Sequence, residues 1–275
     1  MIPVELLAFL FAIGAGAFGA LVGIGGGLIV VPLLTIVLGV DIKLAIAASL
    51  LGVIAVSTSA AATYLNRGLV DRRLGLVLLL ATAIGGILGG YVAGLLNART
   101  LTAIFGVVLV AVAIQMLRGR GQPAPDLPEI PGRFDLDSSY VEPTTGKQVV
   151  YRARRLGPGA AISVVAGSVS GLLGVGGGVI NVPTMNLLMG VPIRVATTTS
   201  TYMLGATAAA SAVMYYSRGQ IDPLLAGPVV VGVVLGAQLG ARLAARVSQH
   251  ALQLIFVGVA LFFALQMLLR AASGA

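Results

Sequence analysis

Long apolar segments occupy almost the whole chain, and they constrain its fold more than any other feature. They fall at residues 4–22, 28–39, 44–65, 74–96 and 101–117, and again at 157–173, 179–190, 195–216, 224–247 and 251–269. Of the 275 residues, 58% are hydrophobic and 9% are charged, and the mean hydropathy is +1.04. One soluble core cannot bury so many apolar side chains, so the sequence predicts an integral membrane protein.

In lipid, a helix satisfies its own backbone hydrogen bonds, so we predict an all-α fold. The chain has room for roughly eight to ten membrane elements of about 20 residues each. The first of these, at Met1 to Ala20, has no basic residues before its apolar run, and Ala15-Gly16 is matched later by Ala166-Gly167. We therefore expect it to be an uncleaved membrane element rather than a signal peptide.

The five apolar segments occur twice. Residues 21–117 align without a gap with residues 172–268, and about one position in three is identical, which indicates an internal duplication. We predict a first membrane repeat at 1–118, a linker at 119–156 and a second membrane repeat at 157–275. Each repeat makes five crossings, or three if its first two segments form a re-entrant pair. Because either number is odd, we predict that the repeats are inverted.

The linker is polar, with five of the nine acidic residues of the chain. Residues 133–137 and 148–152 flank a turn at Pro143 to Lys147 and predict a small hairpin, although a plain tether is the other interpretation. Most of the basic residues lie in this linker or in loops that the predicted topology puts on the same side. The positive-inside rule then predicts a cytoplasmic linker and both termini outside. Lys43 and Arg194 either attract anions at opposite mouths or anchor the helices at the interface.

Two glycine-rich breaks interrupt the first two segments of each repeat, and a proline follows each break (Pro32 and Pro183). The glycines are Gly23, Gly25, Gly26 and Gly27 in the first repeat, and Gly174, Gly176, Gly177 and Gly178 in the second. A helix that restarts inside the membrane exposes backbone N–H groups, and an anion suits them. We predict that these glycines bind a substrate anion. The alternative is close helix packing, which we prefer for Gly85-Gly86 and Gly89-Gly90.

The second repeat is the more polar of the two beside its break. Asn181 replaces Val30, and a run of hydroxyl residues replaces Ile46 to Leu50, of which only Ser49 is polar. Hydroxyl and amide groups donate hydrogen bonds to an oxyanion without adding a charge that would trap it. We therefore predict substrate contacts from Ser49, Asn181, Thr197, Thr198, Thr199 and Ser200. The alternative is that these hydroxyls bind the backbone of their own helix.

The sequence lacks the residues that several kinds of chemistry require. The chain has no cysteine, and no Asp, Glu or His lies in the middle of an apolar segment. A catalytic site, a metal site, a cofactor and a buried proton relay are therefore unsupported, and we predict that the protein is not an enzyme. The net charge of +8 reflects basic loops beside membrane segments, so we expect a lipid bilayer rather than nucleic acid as the partner of these charges.

The duplicated Gly-x-Gly-Gly-Gly-x-x-x-x-Pro motif, the run from Gly190 to Ser200 and the Arg-Gly-x-Ile-Asp sequence at 218–222 resemble the TauE/SafE family, the sulfite exporter family of the 4-toluene sulfonate uptake permease superfamily. The linker from Tyr140 to Lys147 is similar to the short soluble insert of that family. The resemblance implies a bacterial or archaeal inner-membrane transporter. Its substrate would be sulfite, thiosulfate, sulfoacetate or a related small inorganic or organosulfur anion.

An inside-negative membrane potential favours outward movement of anions, so export needs no coupling ion. We predict potential-driven export by alternating access. Three alternatives remain: a channel-like anion facilitator, an ion-coupled importer of the same anions and, outside transport, a membrane assembly factor that uses the linker as its partner surface. The identity of the anion and the oligomeric state, including a homo-oligomer, stay open.

Overall fold

The computed structural model describes residues 4–22, 26–66, 68–118, 136–141, 146–243 and 249–273. In the first repeat the helices are α1 (Val4–Val22), α2 (Gly27–Pro32), α3 (Ile42–Asn66), α4 (Arg72–Leu95) and α5 (Ala98–Arg118). Two strands follow, β1 (Leu136–Val141) and β2 (Gln148–Ala153). In the second repeat the helices are α6 (Leu156–Leu173), α7 (Gly178–Pro183), α8 (Ile193–Tyr216), α9 (Pro223–Leu243) and α10 (Gln249–Ser273).

The prediction of an all-α membrane protein is confirmed. Six of the described helices are long and apolar enough to cross a membrane, namely α3, α4, α5, α6, α9 and α10. The 24-residue α8 is as long as these, but its threonines and serines lower its hydropathy. The chain is therefore a multi-pass membrane protein.

Helices α2 and α7 are short and each continues as a π-helical turn, at Leu33–Val37 and Thr184–Leu188. In both cases the wider turn begins directly after a proline, Pro32 or Pro183. Proline has no N–H to donate to the carbonyl four residues earlier, so the regular α-helical ladder is interrupted at that point. Each short helix with its wider turn has eleven residues, about 16 Å, which is half the thickness of a bilayer core.

The largest helix pairs each join a helix of one repeat to a helix of the other. Helix α1 packs along α9, and the equivalent α6 of the second repeat packs along α4. The equivalent helices α3 and α8 pack together, and so do α5 and α10. These pairings relate the repeats by an approximate two-fold axis, as expected for a duplicated chain.

Equivalent helices run in opposite directions. The Ser57 hydroxyl in α3 donates to the Thr201 carbonyl of α8, whereas the Thr198 hydroxyl, near the start of α8, donates to the Leu69 carbonyl beyond the end of α3. Helices α5 and α10 are likewise antiparallel, because Arg99 at the start of α5 donates to the Ala271 carbonyl near the end of α10. This geometry supports the predicted inversion; the orientation in the membrane stays a prediction.

Glycines bring the paired helices close together. A Cβ atom at Gly85 or Gly89 of α4 would collide with the backbone of α6 at Val164 or Ser168. The equivalent contact brings Gly236 of α9 against the backbone of α1. These glycines serve helix packing, as expected from their sequence pattern.

The bundle has two ends, which we name by the segments they carry. The linker end carries residues 68–71 and 189–192 and the β1–β2 hairpin, and the termini end carries residues 38–41, 96–97 and 217–222. Four basic residues at the termini end bind backbone carbonyls. Lys43 donates to Gly94, Arg218 to Gly90 and Tyr91, Arg99 to Ala271 and Ala272, and Arg270 to Thr35. Lys43 therefore supports the end of α4 in this structure.

The linker contains an ordered hairpin rather than a plain tether in its described part. Strands β1 and β2 pair antiparallel, with Leu136 opposite Ala153 and Val141 opposite Gln148. The predicted first strand began at Arg133, and its residues 133–135 lie outside the described residues. On the outer face, Asp137 and Arg152 form an ion pair that lowers the pKa of the aspartate.

Candidate functional site

The two glycine-rich breaks meet inside the bundle. The first contributes Gly26 and Gly27, while Gly23 and Gly25 lie outside the described residues. A Cβ atom at Gly27 would lie 2.5 Å from the Gly174 carbonyl oxygen of the second break. The Ser49 hydroxyl of α3 donates to the same oxygen over 2.8 Å. Two breaks that are far apart in sequence, and one predicted serine, thus form a single buried contact.

Each short helix turns back beside the helix that precedes it. Gly26 packs against the Ala15 carbonyl of α1, and Ile29 and Leu33 share a crevice with Phe11 and Ala15. In the second repeat, Gly177 packs against the Ala166 carbonyl of α6. With a half-membrane length, α2 and α7 are the return limbs of re-entrant pairs, which answers a question that the sequence left open.

The predicted residues Asn181 and Ser200 lie at the second break. A Cβ atom at Gly178 would be 3.3 Å from the Ser200 hydroxyl, and one at Gly177 would be 3.4 Å from the Asn181 amide nitrogen. Both side chains are at most 2% exposed. The Ser200 hydroxyl and the Asn181 carbonyl oxygen have no hydrogen-bond partner in the structure. Gly176 has a left-handed backbone, with φ of 73°, so glycine is the residue that turns the chain there without strain.

Sequence reasoning missed two serines of α6. Ser163 and Ser170 are fully buried, and their hydroxyls also lack hydrogen-bond partners. A comparison of the two repeats could have pointed to these serines, because their first-repeat equivalents are Ala12 and Gly19.

A buried pair of threonines was missed as well. The Thr207 hydroxyl of α8 donates to the Thr82 hydroxyl of α4 over 2.8 Å. Their equivalents in the other repeat are Val56 and Val233, and Val233 packs beside Gly26 of the first break. The two-fold relation therefore predicts that Thr82 lies on the corresponding side of the second break.

We call these six residues the polar shell: Thr82, Ser163, Ser170, Asn181, Ser200 and Thr207. All are at most 2% exposed. Five of their six equivalents around the first break are apolar residues or glycine, and Ser49 is the exception. Two similar breaks therefore have different surroundings, one polar and one apolar.

The threonine run is positioned differently from Ser200. The Thr197 hydroxyl donates to the Ile193 carbonyl of its own helix, and the Thr198 hydroxyl donates to Leu69. The Thr199 hydroxyl accepts the backbone N–H of Asp71 over 3.0 Å. The structure does not bring these three hydroxyls to the breaks, so a role in anion binding stays a prediction for them.

The polar shell contains hydroxyls and one amide but no ionisable side chain. Within the described ranges, no three His, Asp or Glu side chains are grouped where they could hold a metal ion. An unpaired buried hydroxyl or amide costs about 1–3 kcal/mol, and four members of the shell have an unpaired oxygen. This arrangement can hydrogen-bond a small polar molecule in an otherwise apolar interior.

Known proteins resemble this chain along most of its length. The family model described as "Sulfite exporter TauE/SafE" matches residues 8–267. "Probable membrane transporter protein YunE" of Bacillus subtilis (strain 168) is 31% identical over 227 residues, which cover 79% of this chain and 80% of the relative. A "Probable membrane transporter protein" of Xylella fastidiosa (strain 9a5c) is 27% identical, covering 77% and 74% of the two chains. No solved structure matches the chain.

Proposed function

The chain belongs to the TauE/SafE family and is a membrane transporter, and from this premise we propose that it exports a small sulfur-containing oxyanion, sulfite or a related organosulfonate, by alternating access. The family description and the names of the relatives concern transporters, which is consistent with a chain that is not an enzyme. The substrate, the direction and the mechanism are the parts we propose.

The observation that carries the proposal is the group of unpaired oxygens around the second break. Ser200 and Asn181 bring a hydroxyl and an amide N–H₂ group beside Gly178 and Gly177. Ser163 and Ser170 of the preceding helix α6 add two further buried hydroxyls that can donate. A sulfur oxyanion offers several acceptor oxygens at once, so one ligand could accept bonds from several of these donors. Backbone N–H groups in the first turn of α7 would add to them, because such groups lack intrahelical partners.

Neutral donors suit a transporter that must also release its substrate. A buried arginine or lysine would bind the anion strongly and retain it, whereas hydroxyl and amide donors bind it and let it leave. The driving force can then come from outside the site. Each negative charge moved outward across an inside-negative membrane gains about 2.3 kcal/mol per 100 mV.

The arrangement of the repeats supports alternating access. The two breaks touch where equivalent helices cross, so movement of one repeat against the other would alter the surroundings of a bound anion from both sides. On the linker side of the shell, Met185, Met189 and Val191 are fully buried. This closure favours a carrier over a continuously open channel.

Purified protein in proteoliposomes loaded with sulfite tests the proposal. A potassium gradient with valinomycin sets the membrane potential, and we expect efflux to accelerate when the compartment that holds sulfite is negative. Efflux that follows a pH gradient and ignores the potential would contradict potential-driven export. It would favour an ion-coupled carrier instead.

Exchange kinetics separate the carrier from a channel-like facilitator. A carrier predicts saturation and faster efflux when unlabelled sulfite is present on the opposite side. A linear dependence on concentration without this stimulation would favour a channel. An assembly factor predicts a third pattern: deletion of residues 121–150 would abolish its role, while Gly177→Ala would be tolerated.

A further inference from the structure

The β1–β2 hairpin of the linker lies against the membrane helices and contacts both repeats. We propose that it is a strap that keeps the linker end of the transport path closed in this conformation. The inference goes beyond substrate transport itself. It rests on the proposed alternating access because that mechanism defines an open and a closed state of the linker end. All the hairpin contacts on which this inference is based lie between described residues.

The inner face of the hairpin is apolar and buried. Tyr140 is 8% exposed and Ala153 is fully buried, whereas the outward-facing Val141 and Val150 are 57% and 75% exposed. Tyr140 and Ala153 belong to one apolar cluster with Met185, Met189 and Val191 of the second repeat. The hairpin therefore covers the end of the half-helix that begins at the second glycine break.

Two hydrogen bonds fix the hairpin at points on different repeats. The Arg154 N–H, just after β2, donates to the Met189 carbonyl over 3.0 Å. The Tyr151 hydroxyl donates to the Asp71 carboxylate over 2.8 Å. Met189 follows α7 in the second repeat, and Asp71 precedes α4 in the first. The hairpin thus connects a segment of the first repeat with a segment of the second at the linker end.

Asp71 is a firm attachment point. Its carboxylate also accepts the Leu74 N–H at the start of α4, and its own N–H donates to Thr199. Burial raises the pKa of the Tyr151 hydroxyl above its usual value, so that hydroxyl stays protonated and able to donate at neutral pH. The Tyr151 hydroxyl therefore remains a donor to Asp71 at neutral pH.

The apolar layer beneath the strap lies between it and the polar shell. Asn181 belongs to α7, and Met185 and Met189 follow along the same half-helix toward the linker end. Methionine side chains are flexible and repack readily. Opening the linker end requires these side chains to part, and the buried face of Tyr140 holds them together. Among the described residues, the termini end has no counterpart of this hairpin.

A single introduced cysteine can report this opening, because the chain contains none of its own. Met185→Cys places a thiol in the fully buried layer, and the variant in lipid nanodiscs would be treated with a maleimide reagent. We expect slow labelling of Met185→Cys alone. Adding Tyr151→Phe removes one hydrogen bond and should raise the labelling rate about fivefold. Tyr140→Ser, combined with Met185→Cys in place of Tyr151→Phe, should raise the labelling rate further, because it removes a buried apolar side chain from the contact with Met185 and Met189.

Val141→Ser is the matched control for Tyr140→Ser, because the neighbouring residue faces outward on the same strand. Equal labelling rates in the two double variants would overturn the proposal. Hydrogen–deuterium exchange at residues 184–192 tests the same opening without any cysteine, should Met185→Cys fold poorly. There, Tyr140→Ser should exchange faster than Val141→Ser, and equal exchange would overturn the strap. Neither measurement involves substrate, so a failure of the strap is distinguishable from a failure of the proposed anion transport.

Discussion

Asn181 is the residue at which the difference between the repeats has the clearest functional meaning. Its equivalent, Val30, occupies the same position in the other short helix with an apolar side chain. We expect Asn181→Val to fold, because the related half-helix already accepts valine there, and to lower sulfite transport at least tenfold. A loss of one charge-assisted hydrogen bond, about 1.5–3 kcal/mol, corresponds to that effect. Initial efflux rates from proteoliposomes would measure it.

The reverse exchange, Val30→Asn, serves as the control. It adds an amide to an apolar site, so it should lower thermal stability rather than substrate affinity. An unchanged KM and unchanged rate in Asn181→Val would contradict a role for the polar shell in binding.

Ser49 joins the two breaks directly. Ser49→Ala removes its hydrogen bond to Gly174 and leaves a buried carbonyl without that partner. We expect a loss of about 1–2 kcal/mol in the free energy of unfolding, visible as a lower melting temperature in detergent. Ser59→Ala, on an exposed part of the same helix, should leave the melting temperature unchanged. Equal effects of the two substitutions would show that the contact between the breaks adds no stability.

Part of the candidate site could be predicted at this scale. The glycines, Ser49, Asn181 and Ser200 stand in or beside a local pattern that repeats along the chain. Ser163 differs from its equivalent Ala12, but a serine inside a helix ordinarily bonds its own backbone, and tertiary structure was needed to show that its hydroxyl has no partner. The contact of Thr199 with the loop at Asp71 was equally invisible, since it joins residues 128 positions apart.

The positions of the helices could be predicted from the sequence more completely than the candidate site. Their ends lie within a few residues of the apolar segments, because charges, glycines and prolines mark the ends of membrane helices. The re-entrant course of α2 and α7 was left open by sequence, since an apolar segment of intermediate length is compatible with either path. The hairpin was predicted from its turn, but its docking on Met189 depends on a surface that exists only after the helices assemble.

The close packing of α4 on α6 gives a prediction about whole elements. Gly89→Ala would force a methyl group into the backbone of α6, whereas Gly258 of α10 has open space around it. We expect Gly89→Ala to destabilise the protein by about 1–3 kcal/mol, and Gly258→Ala to be neutral or slightly stabilising. Thermal unfolding monitored by circular dichroism would compare them. Similar melting temperatures would mean that α4 and α6 can separate without cost.

At the scale of the whole molecule, the linker end carries most of the described basic residues. They are Arg72, Arg73, Arg118, Lys147, Arg152, Arg154, Arg155, Arg194 and Arg242, against Lys43, Arg99, Arg218 and Arg270 at the termini end. The positive-inside rule therefore predicts that the linker end faces the cytoplasm.

Single cysteines test this orientation in intact cells. Ser273→Cys at the termini end should react with a membrane-impermeant maleimide, and Ser139→Cys on the exposed face of the hairpin should react only after the cells are opened. Both positions are exposed in the structure, so a difference in reactivity would reflect the membrane. Labelling of Ser139→Cys in intact cells would reverse the predicted topology.

The exchange of partners between the repeats has a consequence for how the protein is made. Helix α1 packs on α9, and the glycine face of α4 packs on α6. Each repeat therefore needs helices of the other repeat to complete its packing. We expect residues 1–118 and 136–275, produced as two separate polypeptides in one cell, to assemble and copurify, and each alone to be degraded. Independent accumulation of either fragment would contradict this. The folded chain would then behave like a dimer of two related halves, each of which needs the other to fold, although the polar interior lies in only one of them.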